Sequence, residues 1–557
     1  MPLIEIKFNE LRNLVGEKLP KTKEDLEPLI FNIKGEIKSF ENDILTLELA
    51  DGNRPDLWTI EGIARELKGI LGVERGLKEF VATQSDLKVF VSSKLEKIRP
   101  FIACAVIKNI KFTSEIIEQL MQAQSKIDTG YGRDRAKASV GFYNFDLVKF
   151  PLKYTTTKPH ENAFIPLGFE NKISPHEILK QHPKGQKYGN LIKSLEEYPI
   201  FIDSDNKILS LPPIINSADL GKVDENTKNV LIEVTGTDYE TVNHILTIFA
   251  TALAERGGKI FSVTVDYPYR NLDTTPHLEN KTLKFNFEDI SKYLGIKLLP
   301  DELIKFLQSK RYFVKMDTND IVSIKIPCYR KDIMHYIDVI EDIAIAYELD
   351  NFESVSPEIP TAGKFDEMEK FAKKIKEICI GLGCQEILTF TLTNKENLFT
   401  KMGCPYEKIV EIANPVSLTY SVLRNKLAPS LLEFLSANTK KPFPQKIFEI
   451  GDVVIFDSKQ ENGTITEKRL CLAISHSQTN FTEIKQHLDA LFTYLGITYE
   501  LEEVEHNSFI SGRCAEIILN KQKAGIIGEI HPMVLENWGL EQPIALFELR
   551  LPVVKNA

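Results

Sequence analysis

Asn53-Arg54-Pro55-Asp56-Leu57-Trp58 and the adjoining Ile60-Glu61-Gly62-Ile63-Ala64-Arg65-Glu66-Leu67 form the most distinctive stretch of this sequence. The first string predicts a turn, because Asn, Pro and Asp favour turn conformations. The second string places apolar residues at offsets of three and four, which predicts a helix with one buried face. Asp56 is a suitable N-cap for that helix, and Gly72 is a suitable stop. These local preferences explain the shape of the segment but not the particular Asn-Arg-Pro-Asp string.

Outward from this stretch, predicted strands and helices alternate along the chain. Strands are predicted before it at residues 3–8 and 43–50, and after it at residues 101–107, 137–143, 200–202, 230–234, 260–265 and 322–326. Helices are predicted at residues 242–256, 287–294, 301–309 and 333–349. Beyond a linker at 357–364, helices are predicted at 365–381 and 481–495, and strands at 385–392 and 446–456.

The 557 residues suit three to four domains, and shifts in these patterns place the boundaries. We predict an α/β multidomain (α+β) chain. Its parts are an N-terminal α/β domain at 1–85, a mixed α/β domain at 86–270, a compact domain at 271–355 and a final domain at 356–557.

Composition excludes several classes of protein. Hydrophobic residues make up 43% and charged residues 27%, as in soluble globular proteins, and no apolar run approaches the roughly 18 residues that cross a bilayer. The N-terminus has no secretory pattern. The seven cysteines form no Cys-x-x-Cys pair, which argues against zinc and favours reduced cytosolic thiols. A net charge of −10 indicates that any RNA contact comes from local patches or a partner chain.

Three carboxylates, Asp338, Glu341 and Asp342, fall at offsets of three and four in the predicted helix 333–349 and share one face. Asp332 stands at the predicted helix start. A second face, expected to be buried, carries the apolar side chains of Ile333, Ile337, Ile340, Ala344 and Tyr347. The carboxylates are read either as an N-cap with a solvated acidic face or as oxygen ligands of a hard divalent cation.

Motifs spread along the chain resemble those of phenylalanyl-tRNA synthetase β subunits of the archaeal/eukaryotic type. The N-R-P-D turn with its helix is the first of them. The others are Arg133-Asp134-Arg135-Ala136-Lys137-Ala138-Ser139-Val140-Gly141, Leu211-Pro212-Pro213-Ile214-Ile215-Asn216-Ser217, Glu233-Val234-Thr235-Gly236-Thr237-Asp238, Pro327-Cys328-Tyr329-Arg330-Lys331-Asp332-Ile333, Val339-Ile340-Glu341-Asp342-Ile343-Ala344, Phe448-Glu449-Ile450-Gly451-Asp452-Val453 and Gly528-Glu529-Ile530-His531-Pro532.

The resemblance implies a fold and a set of partners. It implies an editing domain at 86–270, a small winged-helix-like B5 domain at 271–355 and a C-terminal antiparallel-sheet domain of the class II synthetase type. It also implies an (αβ)₂ assembly with an α subunit, in the cytoplasm, that joins phenylalanine to tRNA(Phe) using ATP at the α subunit.

The last domain lacks the cations that a class II synthetase places on ATP phosphates. The segment 525–531 ends without the arginine of motif 3, and Phe448-Glu449-Ile450-Gly451 lacks the arginine that precedes this string in motif 2. We therefore expect this domain to be catalytically silent and the synthetic site to lie on the α subunit.

The resemblance also implies an editing site in the second domain. A pocket shaped for phenylalanine rejects an added hydroxyl only modestly, so a second site that hydrolyses tyrosyl ester improves accuracy. The candidates are Glu233, which would accept a hydrogen bond from the tyrosine phenol, and Ser210, Asn216 and Thr235, which would hold the ester or a water. The simpler alternative is a Ser/Thr-rich loop with Glu233 on a solvated strand face, in a scaffold or RNA-binding subunit that does not edit.

The resemblance further implies a magnesium site at Asp332, Asp338, Glu341 and Asp342, shared with the α subunit. His244 lies near the editing candidates in sequence, but a lone histidine in a helix is usually structural.

Overall fold

A computed structural model of the chain describes residues 2–317 and 320–557. Contacts divide the chain into two compact units, Met1–Ser356 and Pro357–Ala557. Within the described residues, no helix has the length and apolar character needed to span a membrane. All seven cysteines are free thiols.

The described residues of the first unit form three sheets and a set of helices. Its strands are Leu3–Lys7 (β1), Gly35–Glu41 (β2), Ile44–Leu49 (β3), Lys88–Val91 (β4), Phe101–Lys108 (β5), Ala138–Asn144 (β6), Leu152–Thr157 (β7), Tyr198–Ile202 (β8), Ile208–Leu211 (β9), Ile215–Asn216 (β10), Val230–Gly236 (β11), Lys259–Asp266 (β12), Asp273–Thr275 (β13), Lys281–Asn286 (β14), Phe313–Met316 (β15) and Ile321–Ile326 (β16). Its α-helices are Phe8–Val15 (α1), Lys23–Phe31 (α2), Ile60–Ile70 (α3), Ser114–Thr129 (α4), Pro175–Gln181 (α5), Pro183–Tyr188 (α6), Tyr239–Glu255 (α7), Phe287–Leu294 (α8), Pro300–Ser309 (α9) and Tyr336–Tyr347 (α10).

The largest sheet of this unit has ten strands. Nine lie in the order β10-β9-β8-β7-β4-β12-β5-β11-β6, and β13 pairs with β12. Strand β11 lies between β5 and β6 and is buried along its whole length, including the polar residues Glu233 and Thr235. The smaller sheets have the orders β1-β3-β2 and β14-β16-β15. The predicted strands of the first unit are confirmed, with bounds that differ by a few residues.

The Asn-Arg-Pro-Asp segment forms a 3₁₀ turn, Pro55–Trp58, followed by α3. The prediction of Asp56 as the N-cap is wrong, because Thr59 caps the helix by accepting a hydrogen bond from the Gly62 amide. Asp56 is instead buried in an ion pair with Arg54, at 2.8 and 2.9 Å. Gly72 adopts a left-handed φ of +64° just after the helix, as its predicted role as a stop requires.

One continuous hydrophobic core crosses the boundary predicted at 85/86. It joins residues of the first small sheet and α3, such as Leu45 and Leu67, to residues of the large sheet and α7, such as Ala105 and Phe249. A separate core lies under α8, α9 and α10 and includes Ile290, Leu307 and Ile343. The internal division of the first unit stays a prediction.

The second unit is built on a seven-stranded sheet in the order β17-β20-β21-β25-β24-β23-β22, antiparallel except for the β17–β20 pair. Its strands are Gln385–Glu386 (β17), Leu392–Thr393 (β18), Val422–Leu423 (β19), Gln445–Phe456 (β20), Thr464–Ser475 (β21), Glu500–Glu503 (β22), Phe509–Leu519 (β23), Gln522–Ile530 (β24) and Ile544–Arg550 (β25). Its α-helices are Glu367–Gly381 (α11), Ala428–Ala437 (α12), Phe481–Leu495 (α13), Pro532–Trp538 (α14) and Leu551–Lys555 (α15).

Helix α13 coincides with its predicted bounds. The strand predicted at 385–392 is wrong as one element, because only residues 385–386 and 392–393 pair, and they do so in different sheets. Between them, the Thr389 hydroxyl donates to the Glu449 side chain at 2.6 Å, so a side-chain contact there takes the place of regular pairing.

Candidate functional site

A cavity of about 130 Å³ in the first unit is lined by residues of α4, β6, β9, β10 and β11. Three of the four predicted editing residues, Ser210, Asn216 and Glu233, line it together. They meet because β10 pairs with β9, which sets Asn216 opposite Ser210, while β11 presents Glu233. The fourth, Thr235, is not among the lining residues.

Glu233 is a carboxylate inside a sheet, with only 3% of its surface exposed. The register of the sheet sets it opposite Gly141 of β6 and Cys104 of β5. The Tyr143 hydroxyl donates a hydrogen bond to its Oε2 atom at 2.7 Å. Burial raises the pKa of Glu233 to about 7, although the bond from Tyr143 acts in the opposite direction. The alternative of a solvated strand face is therefore wrong.

The other two predicted residues in the cavity, Asn216 and Ser210, differ in their hydrogen bonding. The Asn216 amide nitrogen donates to the Phe142 carbonyl at 3.2 Å, which fixes the side chain beside β6. The Ser210 hydroxyl is buried and makes no hydrogen bond of normal geometry among the described residues, although it lies near enough to Tyr143 to lower the pKa of that phenol. An unsatisfied buried hydroxyl is available to a water or an ester oxygen.

Thr235 lies behind the cavity wall and is fully buried. Arg99 donates through Nε to the Thr235 hydroxyl at 3.1 Å and through Nη2 to its carbonyl at 2.6 Å. Arg99 also donates to the Ser139 hydroxyl at 3.1 Å. In this structure Thr235 supports the wall.

Arg135 lies in the basic stretch 133–141 but was not among the predicted site residues. Its Nη1 atom donates to the carbonyls of Pro213 and Ile214, at 2.9 and 2.8 Å, and so anchors the loop between β9 and β10. Asp128 lies 3.0 Å from Arg135 Nε, and burial raises the pKa of this carboxyl to about 6 despite the guanidinium. Arg135 also lines the cavity, so it fixes the loop that forms part of the wall and places a positive charge beside the cavity.

His244 is structural, in agreement with the sequence-based interpretation. Its Nδ1 lies 2.9 Å from the Tyr131 hydroxyl, and its Nε2 lies 2.8 Å from the Tyr329 carbonyl. Burial lowers the pKa of this histidine.

The carboxylates predicted as metal ligands lie around a second, polar cavity of the first unit. Asp332 precedes α10 by four residues and receives hydrogen bonds from Arg330, at 2.6 to 3.1 Å. Asp342 is buried and accepts from Arg330 at 2.9 Å and from the Tyr312 hydroxyl at 2.5 Å. Both are compensated by the same guanidinium.

The other two carboxylates have different partners. Asp338 caps α10 by accepting from the amides of Met334 and His335, both at 2.8 Å. The Glu341 side chain is 58% exposed and lies 2.6 Å from Lys34. The expectation that Ile337 is buried is wrong, because it is 44% exposed. The core contacts of α10 pass through Val339, Ile340 and Ile343 instead.

The residues present do not fit a divalent cation in this arrangement. Within the described part of the chain, no three His, Cys, Asp or Glu side chains are grouped so that they would hold a metal ion. Cationic side chains share the cavity with the carboxylates: Lys34, Arg54, Lys310 and Arg330. The magnesium assignment stays a prediction.

Arginines in the sheet region of the second unit are also paired. Arg424 lies 2.8 Å from Glu449, Arg469 lies 2.8 Å from Glu548, and Arg550 lies 2.7 Å from Glu467. Glu548 also accepts from the amides of Leu427 and Ala428 at the start of α12. These guanidinium groups already have carboxylate partners.

Two family models match the chain. The "Phenylalanyl tRNA synthetase beta chain CLM domain" matches residues 352–551, and the "tRNA synthetase B5 domain" matches residues 283–349. The class that these domains define is that of aminoacyl-tRNA synthetase subunits.

Full-length relatives define the family. The chain is 42% identical to the phenylalanine–tRNA ligase β subunit of Pyrococcus furiosus, over 99% of both chains, and 36% identical to that of Methanosphaera stadtmanae, over 100% of both. The crystal structure of an N-terminal fragment of the Pyrococcus horikoshii phenylalanyl-tRNA synthetase β subunit superposes with a TM-score of 0.60 at 38% identity. That match covers 62% of this chain and 99% of the fragment. The chain belongs to the family of phenylalanine–tRNA ligase β subunits.

Proposed function

We propose that this chain acts with an α subunit as phenylalanine–tRNA ligase, and that its own chemistry is the hydrolysis of mischarged tyrosyl-tRNA(Phe). The first part rests on family membership, since a β subunit presupposes an α partner. The second part is carried by one observation, the buried carboxylate of Glu233 in a cavity with Ser210 and Asn216.

An apolar patch on the second unit supports the partnership. Its six side chains lie on two neighbouring segments: Leu388, Phe390, Leu392, Val416, Leu418 and Tyr420. All six are exposed, Leu388 and Leu418 each to 81%. The segments are joined by the β18–β19 pair and by the rings of Phe390 and Tyr420, whose centroids lie 5.8 Å apart. Clustered exposed apolar side chains mark protein interfaces, and we assign this one to the α subunit in an (αβ)₂ assembly.

The paired arginines of the second unit support a silent synthetic site. ATP phosphates need free cations, and Arg424, Arg469 and Arg550 are each held by a glutamate. Together with the arginines missing from the motif 2 and motif 3 positions, this favours a catalytic centre for adenylate formation on the α subunit.

Editing follows from the chemistry of the first cavity. A tyrosyl ester brings a phenolic hydrogen that Glu233 accepts, whereas a phenylalanyl ester brings no donor. The Ser210 hydroxyl and the Asn216 amide are placed to hold the ester or a water. Hydrolysis then proceeds by a positioned water, without a covalent intermediate on the chain.

The partnership is tested by co-expressing the chain with its cognate α chain. We expect co-purification and phenylalanine attachment to tRNA only when both chains are present. Leu418→Asp should reduce co-purification, while Leu272→Asp, at a leucine of the first unit that is 67% exposed, should not. An α chain that is fully active alone and never binds this chain would refute the partnership.

Editing is tested on the assembled complex with tyrosyl-tRNA(Phe). Glu233→Gln keeps the shape but removes the charge, and we expect hydrolysis to slow by about ten- to hundredfold. Glu240→Gln, an exposed glutamate at the start of α7, is the matched control and should leave the rate unchanged. The competing function is a scaffold that does not edit, favoured by the fact that Tyr143 already bonds Glu233. Hydrolysis by the wild-type complex no faster than the spontaneous rate would support the scaffold, and unchanged hydrolysis in Glu233→Gln would refute the assigned role of Glu233.

A further inference from the structure

The residue that bonds Glu233 is itself a tyrosine. The Tyr143 hydroxyl lies 2.7 Å from Glu233 Oε2 and 3.4 Å from Asn216 Oδ1. A tyrosine hydroxyl has one hydrogen, and only the shorter distance is normal for an O–H···O bond, so that hydrogen goes to Glu233. Burial and the charge of Glu233 hold the pKa of Tyr143 well above its usual range, so the phenol stays a donor.

The sheet is built to bring these two side chains together. Gly141 and Tyr143 are two residues apart on β6 and point to the same side, and Gly141 is opposite Glu233 in the register. A Cβ atom at Gly141 would lie 2.7 Å from the Tyr143 hydroxyl and 2.8 Å from Glu233 Oε2. The missing side chain therefore leaves the space in which the phenol and the carboxylate meet.

We propose that Tyr143 is a positioning residue for tyrosine selection, whose phenol binds Oε2 of Glu233 and leaves Oε1 to accept the hydroxyl of an incoming tyrosyl group. This inference rests on the proposed editing function. A carboxylate accepts several hydrogen bonds, so the resident phenol and a substrate phenol bind it at the same time. Tyr143 supplies from within the chain the same chemical group that the substrate brings.

The resident phenol governs the charge of Glu233. Burial is the largest influence on the pKa of this carboxyl, and the bond from Tyr143 is the largest that opposes it. Arg99 and Thr235 also lower this pKa, and Asp128 raises it. Without Tyr143, Glu233 would be protonated over a wider pH range, and its neutral form accepts a phenolic hydrogen less strongly.

Other titratable groups near the carboxylate leave this conclusion unchanged. Cys104 faces Glu233 from β5, and burial holds the pKa of its thiol well above the usual range, so it stays neutral. Arg135, Lys184 and Lys222 line the same cavity. Burial, then Arg135, lowers the pKa of Lys184. Tyr143 donates the hydrogen bond that most lowers the pKa of Glu233, and this donor can be removed with a single oxygen atom.

The test compares tyrosyl-tRNA hydrolysis against pH in the assembled complex, with rates corrected for spontaneous ester hydrolysis. Hydrolysis should rise with pH as Glu233 ionises. In Tyr143→Phe the midpoint should move upward by about one pH unit, because the ionised form has lost one charge-assisted hydrogen bond. The preference for tyrosyl- over phenylalanyl-tRNA at neutral pH should fall about tenfold.

Tyr154→Phe is the matched control. Tyr154 is also fully buried and also packs against Phe201, at 6.4 Å compared with 6.2 Å for Tyr143, but its hydroxyl donates to the Arg99 carbonyl. It should lose a comparable amount of stability without moving the pH midpoint. Equal midpoints in the wild type and Tyr143→Phe would overturn the inference and leave editing intact.

A binding measurement separates the two hypotheses if the wild-type complex hydrolyses nothing. The full chain is titrated with L-tyrosinamide and L-phenylalaninamide. A preference for tyrosinamide that Tyr143→Phe reduces about tenfold would support the role of Tyr143 even though editing had failed. The absence of any preference in the wild type would overturn both.

Discussion

Glu233 and Asp342 are two buried carboxylates of the same unit, and each accepts a hydrogen bond from a tyrosine hydroxyl. Tyr143 donates to Glu233 at 2.7 Å, and Tyr312 donates to Asp342 at 2.5 Å. Their pKa values nevertheless move in opposite directions. Burial raises the pKa of Glu233 to about 7, whereas at Asp342 the effect of burial is outweighed and the pKa lies below its usual value.

The difference lies in the guanidinium groups. Arg330 bonds Asp342 directly at 2.9 Å, with Lys310 and Arg54 also lowering its pKa. Arg99 is buried near Glu233, but its hydrogen bonds go to Thr235, Ser139 and the Arg135 carbonyl. A buried carboxylate paired with a cation depends on that cation, because removing the cation leaves a charge buried and uncompensated. An unpaired carboxylate beside a cavity can still accept a hydrogen bond from a ligand.

The largest expected effect on stability comes from removing the guanidinium that pairs with Asp342, which belongs to Arg330. Arg330→Met would leave Asp332 and Asp342 buried without their guanidinium, and we expect unit 1 to lose about 3–5 kcal/mol of unfolding free energy. Urea unfolding followed by tryptophan fluorescence measures this in a Trp538→Phe background, where Trp58 of the first unit is the remaining tryptophan.

Lys331→Met is the control for that measurement. This neighbouring cation is exposed, so its loss should change the unfolding free energy by less than about 0.5 kcal/mol. If Arg330→Met were as mild as Lys331→Met, the paired cluster would not be a stability element.

A smaller effect of opposite sign on the unfolding free energy is expected at Glu233, the carboxylate without a cationic hydrogen-bond partner. The folded pKa of Glu233 is raised from 4.5 to about 7, so the folded protein binds this proton more tightly than the unfolded chain does. Its contribution to the unfolding free energy therefore falls as pH rises through this window. Glu233→Gln should be more stable than the wild type by about 3 kcal/mol above pH 7, and nearly equal at pH 4.5.

The same urea titration, repeated across this pH range, checks the sign. A constant difference between Glu233→Gln and the wild type at all pH values would mean that Glu233 is not the group that titrates. A variant that is both more stable and inactive in hydrolysis would show that the site is maintained at a cost in stability.

Periodicity predicted most of the elements around these two sites. Strand β11 and helix α7 follow from their apolar runs, and the motifs at 210–217 and 233–237 indicated that Ser210, Asn216 and Glu233 belong together. The sheet brings them together because β9, β10 and β11 carry them to one cavity.

Partners of individual side chains could not be predicted in this way. Tyr143 and Glu233 are 90 residues apart, and their contact depends on a strand register that no local pattern specifies. Helical spacing correctly placed Asp338, Glu341 and Asp342 on one helix. Their partners are the backbone amide of His335 at the start of the same helix, and Lys34 and Arg330, which lie outside the helix. Asp56 is another example. It belongs to a residue type that favours N-caps, but in the structure it pairs with Arg54 and does not cap the helix.

The smallest effect should come from Lys34, at the solvated edge of the structural cluster. Lys34 lies 2.9 Å from Asp51 and 2.6 Å from Glu341, but its side chain is 31% exposed and that of Glu341 is 58% exposed. Water already solvates these charges, so Lys34→Met should lower the unfolding free energy by less than about 1 kcal/mol. This difference should disappear at high salt. The urea measurement used for Arg330→Met tests this at low and high ionic strength. A loss as large as that of Arg330→Met would show that a charge pair in this cavity stabilises the fold whether or not it is buried. A small, salt-sensitive loss would show that only the buried pairs, which are desolvated, contribute strongly to the unfolding free energy.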